Sequence, residues 1–179
     1  MKQTKWFERK FPAIEDNGLL PGIIERLDGT AARLYYKTSK LNSSQLPAST
    51  DTKWSIRKEI GHLTDLEPLW FARVEEIVSG VDVLLAADLT NQKTHNTPHD
   101  EQEVIPLLHA FFEERMKLVT LLRSLNDADL DKKALHPRLL TAMRIVDLAY
   151  FVAEHDDHHL AHITELLKED KSWMTANEL

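Results

Sequence analysis

Four stretches of the chain carry apolar residues at helical spacing. The first runs from about Pro21 to about Leu41, with Ile23, Leu27, Leu34 and Leu41 on one stripe and Gly29 as a weak interior point. The second begins near Trp54-Ser55, where Ser55 is placed to cap a helix. It continues through Ile56, Ile60, Leu63, Leu66, Trp70, Val74 and Ile77 to a stop at Gly80. Pro68 falls inside it and predicts a bend or a freed carbonyl one turn earlier, near Thr64. The third spans about Asp100 to Leu125. Acids Asp100, Glu101 and Glu103 crowd its first turn, as the helix dipole favours, and Ile105, Leu108, Phe112, Met116, Val119 and Leu122 form its stripe. His109 reads there as a buried or boundary histidine. The fourth runs from about Thr141 to Lys168.

No stretch alternates with the period of a strand, and nothing repeats. The pattern predicts one all-α domain over residues 1–179: a four-helix bundle over 18–170, an N-terminal arm over 1–17 and a fraying tail over 171–179. Trp6, Phe7, Phe11 and Ile14 are the packing anchors of the arm. The connections are a Ser/Pro/Thr-rich segment over 42–52, a long polar loop over 81–100, and a segment over 126–138 in which Pro137 holds His136 extended. In the long loop His95 and His99 read as solvated residues that could border a site.

The fourth helix departs from an ordinary amphipathic pattern. Ile145, Leu148, Val152, His155, His159, His162 and Leu166 are spaced 3, 4, 3, 4, 3, 4, the seam that faces a neighbouring helix. Histidines thus stand where apolar residues belong, and a buried imidazole without a partner is costly. His155 and His159, one turn apart on one face, are a pair by which a single helix can offer two imidazoles to one divalent metal. The alternative is a polar, partly exposed helix end with acids as partners. His158 lies beside the seam and reads as solvated or as a donor behind the ligands. On the second helix Gly61-His62 adds a residue with no side chain, open to close approach, and a histidine flanking the apolar stripe. Facing helices of a bundle give His62 a route to His155 and His159.

Composition narrows the partners. A net charge of −7 argues against nucleic acid or an anionic membrane, both of which call for a basic surface. There is no cysteine, so there is no disulfide, thiolate ligand or cysteine nucleophile, and any thiol chemistry needs a thiol from outside the chain. The N-terminus shows no signal-peptide pattern and no stretch approaches a spanning helix, so the expected location is the cytoplasm.

Trp54-Ser55, Glu59-Ile60-Gly61-His62-Leu63, Glu67 and Trp70 resemble the second helix of DinB/YfiT-like proteins, and 151–163, Phe-Val-Ala-Glu-His-Asp-Asp-His-His-Leu-Ala-His-Ile, resembles their last core helix. The resemblance extends to the Trp6-Phe7-Glu8-Arg9 arm and to Ala87-Asp88-Leu89-Thr90-Asn91. It implies an up-down-down-up bundle, often a homodimer, with a divalent metal on three histidines and open positions for water or substrate. Those histidines are His62, His155 and His159. His162 stands where the family often has Gln, so it is expected as a further ligand or as a hydrogen-bond donor near the metal. Asp156 and Asp157 are expected to be solvated or to orient an imidazole from behind, and Glu67 and Glu154 are possible polar neighbours of the site with structural roles. His155-Asp156-x-x-His159 imitates a zinc-protease motif, but Asp is a methylene shorter than the Glu of that motif.

Three neutral imidazoles suit Zn, Ni or Fe(II). The resemblance implies a metal-dependent transferase that joins a low-molecular-weight thiol to a small electrophile. The alternatives are a metal-dependent hydrolase of a small amide or ester, and a non-catalytic metal- or ligand-binding bundle.

Overall fold

The computed structural model describes residues 3–42 and 46–169. The expected tail over 171–179, and residues 43–45 of the first connection, lie outside the described residues. The elements in order are α1 Leu20–Thr38, α2 Ile56–Ser79, the short α3 Gln92–Asn96, α4 Val104–Ser124, the single turn α5 Asp127–Leu130, strands β1 Lys133–Leu135 and β2 Ala142–Arg144, and α6 Ile145–Glu169.

The helix ends follow from local chemistry. Ser55 caps α2, its hydroxyl accepting the Lys58 N–H at 3.0 Å. Gly80 ends it at φ 81°, a left-handed conformation that glycine adopts without penalty, while its N–H reaches the carbonyls of Glu76 and Ile77. Pro68 is accommodated inside α2. Helix α1 stops at Thr38, short of the expected Leu41. The third long helix starts at Val104, not Asp100, because Asp100 is engaged elsewhere: it accepts the Ser49 N–H at 2.9 Å and the Ser55 hydroxyl, which ties the loop to the start of α2.

A hairpin replaces the expected start of the fourth helix. Ala134 pairs with Met143 between β1 and β2, and α6 begins directly after β2. Strands of three residues are too short to leave a period in the sequence.

The buried apolar residues fall into two clusters. One holds Leu20–Leu27 of α1, Trp70–Ile77 of α2, Leu118–Leu122 of α4 and Ile145–Ala153 of α6. The other holds Leu34 of α1, Ile56–Leu63 of α2, Val104–Phe111 of α4 and Leu160–Leu167 of α6. Helices α1 and α6 therefore run from the first cluster to the second, and α2 and α4 run the other way. This is the up-down-down-up order. Helices α1 and α2 each pack against both α4 and α6. Because α2 and α4 are parallel neighbours, the chain must return the full length of the bundle between them. The long 80–103 connection, with α3 inside it, does this.

A polar layer crosses the bundle between the two clusters. Thr30, Glu67, Arg115 and Asp156, one from each long helix, are all 0–1% exposed. Arg115 lies in the middle of the α4 core face, which is Val104, Leu107, Leu108, Phe111, Arg115, Leu118, Val119 and Leu122. Of the expected stripe, Leu108, Val119 and Leu122 lie in the core, but Ile105 and Phe112 are 40% and 50% exposed, and His109 is exposed rather than buried. A purely apolar stripe could be drawn only by stepping around the arginine.

The N-terminal arm is ordered by side-chain contacts. A short 3-10 turn at Trp6–Glu8 sets Trp6 against Phe11, Phe151 and His155, with ring centroids 5.1, 5.1 and 4.9 Å apart. Ile14 N–H donates to Asp147 at 2.7 Å, and Arg9 pairs with Glu154 at 3.4 Å.

Candidate metal centre

His62 projects from α2 toward α6, where His155 and His159 lie one turn apart. One ring nitrogen from each of the three lies within 4.8 Å of the others, and all three residues are buried. His155 Nε2 and His159 Nε2 are 3.1 Å apart. The edge of a tetrahedron built on Zn–N bonds of about 2.0–2.1 Å is roughly 3.3 Å, so this spacing is close to that of two ligands of one ion.

Neighbours fix which nitrogen two of the rings turn inward. His159 Nδ1 lies 2.5 Å from Glu59 Oε2, so Nδ1 carries the proton and Nε2 keeps its lone pair. His62 Nδ1 lies 3.1 Å from the Thr94 hydroxyl, which itself donates to Asp65 at 3.0 Å. The hydroxyl must therefore accept from His62, which leaves Nε2 of that ring free as well. His155 has no such director. Its Nδ1 is buried with no hydrogen-bond partner, and its ring stands nearly perpendicular to Trp6. Without a cation it can donate from Nε2 to His159; in the other tautomer it offers that lone pair to a metal. Three imidazoles, two of them held from behind by a carboxylate or hydroxyl, are a donor set that fits a divalent transition metal.

The electrostatics keep the ring nitrogens of His62 and His155 unprotonated. Burial, reinforced by repulsion from His159, lowers the His62 pKa to about 3. Burial and the neighbouring imidazoles push His155 well below its usual value. Burial alone would raise Glu59, but hydrogen bonds from His159 and His162 outweigh it and hold the carboxylate at about 2.

The remaining expected residues are placed as follows. His162 does not join the three: its Nδ1 lies 2.6 Å from Glu59 Oε1, so it shares the carboxylate that holds His159, and its pKa is raised by that bond. His158 lines the adjoining cavity, with Nδ1 3.4 Å from Arg9 and a pKa lowered to about 4 by burial and by His159. Asp156 orients no imidazole. It accepts from Arg115 and, at 2.7 Å, from the Thr30 hydroxyl. One residue along a helix is a turn of about 100°, so the neighbour of a ligand faces a different helix. Glu67 pairs with Arg115 at 2.6 Å and Glu154 with Arg26 at 2.6 Å, the structural roles expected of them. His99, expected in solvent, is 5% exposed. It occupies the space above Gly61, where a Cβ would stand 2.3 Å from its Nδ1, and its Nε2 lies 2.9 Å from Asp65. His95 is exposed, 5.8 Å from the Trp54 ring.

The three histidines form part of the wall of a cavity of about 380 Å³. Trp54, Trp70 and Phe151 supply aromatic surface, and Arg73, His136 and Arg138 a basic end. Sequence reasoning passed over Glu59, Thr94, Asp65 and the basic end. Glu59 alone left a signal, standing three residues before His62 on the same face of α2.

Residues 26–163 match the family profile of the DinB superfamily. A protein of Bacillus pumilus (strain SAFR-032) named "Putative metal-dependent hydrolase" is 28% identical over 145 residues, 75% of this chain and 77% of its own length. Among solved structures, YfiT from Bacillus subtilis, described as "a probable metal-dependent hydrolase with an unusual four-helix bundle topology", superposes with a TM-score of 0.74 at 22% identity. That match covers 90% of this chain and 93% of the other. Among the described residues no helix is long and apolar enough to cross a membrane.

Proposed function

The chain belongs to the DinB superfamily, and on that premise we propose that it is a divalent-metal-dependent enzyme acting on a small molecule, with hydrolysis of an amide or ester as the reaction. The observation that carries this reading is the convergence of three buried imidazoles on the wall of a cavity sized for a small ligand. His62, His155 and His159 would hold the ion. When bound, a Zn, Ni or Fe(II) ion with open positions supplies Lewis acidity, lowering the pKa of a coordinated water or thiol and polarising a substrate carbonyl. The chain's own residues do the rest. Glu59 and Thr94 keep the ring protons of His159 and His62 on the outer nitrogens, and Trp6, Trp54, Trp70 and Phe151 limit water around the reacting group.

Two similar proteins carry the description of metal-dependent hydrolase, which favours water over a thiol as the nucleophile. Transfer of a low-molecular-weight thiol rests on the family resemblance and on the lack of cysteine in the chain. A cytoplasmic homodimer completes the reading. The test is turnover of a panel of small esters and amides by metal-reconstituted and metal-stripped protein, with and without an added low-molecular-weight thiol. Metal-dependent turnover without thiol is the expected result. Turnover only with thiol would replace hydrolysis by thiol transfer. No turnover by fully metal-loaded protein would favour a bundle that binds without catalysis.

A further inference from the structure

The end of the cavity away from the three histidines is built from donors that lack acceptors. His136 is 3% exposed, and its Nδ1 accepts two backbone N–H groups, from Arg138 and Leu139, each at 3.2 Å. These bonds fold the 136–141 turn, in which Leu140 takes a left-handed φ of 53°. A non-glycine residue in that conformation costs roughly 1 kcal/mol or more and is kept where the surrounding structure demands it. With the Nδ1 lone pair used, the neutral ring carries its proton on Nε2. Yet Arg73 Nη1, which has only protons to offer, lies 3.3 Å from that Nε2. Two donors face each other with no acceptor between them. Arg73 cannot swing away: it is 1% exposed, bound to the Leu85 carbonyl at 2.9 and 2.7 Å. Beside them Arg138 Nη2 is buried with no hydrogen-bond partner, and Arg138 has no carboxylate within ion-pair distance among the described residues. Its contact is with the ring of Phe7, 5.2 Å away. The acid on the cavity wall, Asp88, spends its oxygens on Thr90 and Gln92 of its own turn.

We propose that Arg138, Arg73 and His136 form a subsite for the carboxylate of the substrate, so that the enzyme takes small organic acids with an apolar body and presents their far end to the three histidines. An anionic oxygen at this end would meet the facing N–H groups of Arg73 and His136 and the free fork of Arg138 together, in charge-assisted hydrogen bonds. Phe151 and Trp70 connect the two ends: His136 lies 5.2 Å from Phe151, Phe151 6.0 Å from Trp70, and Trp70 5.7 Å from His155. A ligand spanning from the basic end to the histidines therefore lies along aromatic faces. The inference rests on reading this cavity as the substrate site.

The probes are 3-phenylpropionate and its uncharged amide, titrated calorimetrically into metal-stripped protein at pH 8. There no metal ion can attract the carboxylate. Wild-type protein is expected to bind the acid about tenfold or more tightly than the amide. Arg138→Gln is expected to bind the two alike, and Arg138→Lys to keep part of the preference, both with unchanged melting temperature. Equal binding of acid and amide by the wild type, no binding of the acid at millimolar concentration, or a full preference in Arg138→Gln would overturn the subsite. Metal content, measured separately, distinguishes its failure from failure of the metal site: His155→Ala should lose metal and keep the preference for the acid.

Discussion

Asp156 and His155 are adjacent in sequence, and they belong to two buried polar clusters of opposite kind. Asp156 joins Glu67, Arg115 and Thr30 in a network whose buried charges are paired within it. Arg115 is wholly buried, its guanidinium bonded to both carboxylates and to the Leu27 carbonyl at 3.1 Å. Nothing in that network is left for a ligand. His155 joins His62 and His159 in a cluster of imidazoles whose ring nitrogens converge, one of them without a partner. Both clusters are buried in the same bundle. Burial of polar groups is common to the two, so burial does not mark the functional one. Unused hydrogen-bonding and ligand capacity does, and it is found again at the basic end of the cavity.

The comparison breaks most visibly at Arg115. Replacing it by Met leaves Glu67 and Asp156 buried without compensation, with an expected loss of about 3–5 kcal/mol in denaturant unfolding. Burial already raises the Glu67 pKa, even with the arginine present. Replacing all three charged residues by apolar ones of similar volume should restore most of that loss, as the network is structural. A loss below about 1 kcal/mol for Arg115→Met would place the network outside the core of the fold.

The histidine cluster should answer to pH instead. In metal-stripped protein the folded state holds His62 near 3, against an ordinary 6.5, and His155 is depressed as well. Below about pH 6.5 the unfolded chain binds protons that the folded chain refuses, so stability rises with pH through this window. The stability is complete above about pH 6.5 and is lost progressively as the pH falls toward 3. Between pH 7.5 and 5 His62 should cost about 1–2 kcal/mol, seen as a drop of several degrees in Tm, and His155 adds to the loss in the same direction. His62→Gln should flatten the profile; a Tm independent of pH over that range would show the rings to be solvated.

Smaller effects sharpen the account of what holds the ligands. Glu59→Gln should weaken metal binding by about 10–100-fold in a chelator competition, because it removes the carboxylate that orients His159. His162→Ala should weaken it by less than about tenfold, since His162 touches Glu59 and not the converging nitrogens. Equal losses in the two variants would make His162 a ligand.

The helices and the His155/His159 pair were legible because both are written at helical spacing. The third histidine was less so: His62 is an ordinary flanking residue on its own helix, the expected bundle gave it only a route to the pair, and the family resemblance named it as the third ligand. The α4 face was drawn correctly at Leu108, Val119 and Leu122 and wrongly at Ile105 and Phe112, because its central residue is Arg115 and a periodicity drawn from apolar residues cannot count a buried ion pair. Asp156 was misplaced because sequence neighbours on a helix face different directions. Arg73, His136 and Arg138 carried no signal at all. They converge from α2 and from the turn after β1, and only folding brings them to one cavity.

The most direct measurement is elemental analysis of tag-free protein reconstituted with Zn, Ni or Fe(II), beside the His155→Ala variant, with circular dichroism to show that both are folded. The account predicts about one equivalent of metal per wild-type chain and none in the variant. A folded wild-type protein that takes up no metal, or a variant that holds as much as the wild type, would contradict it.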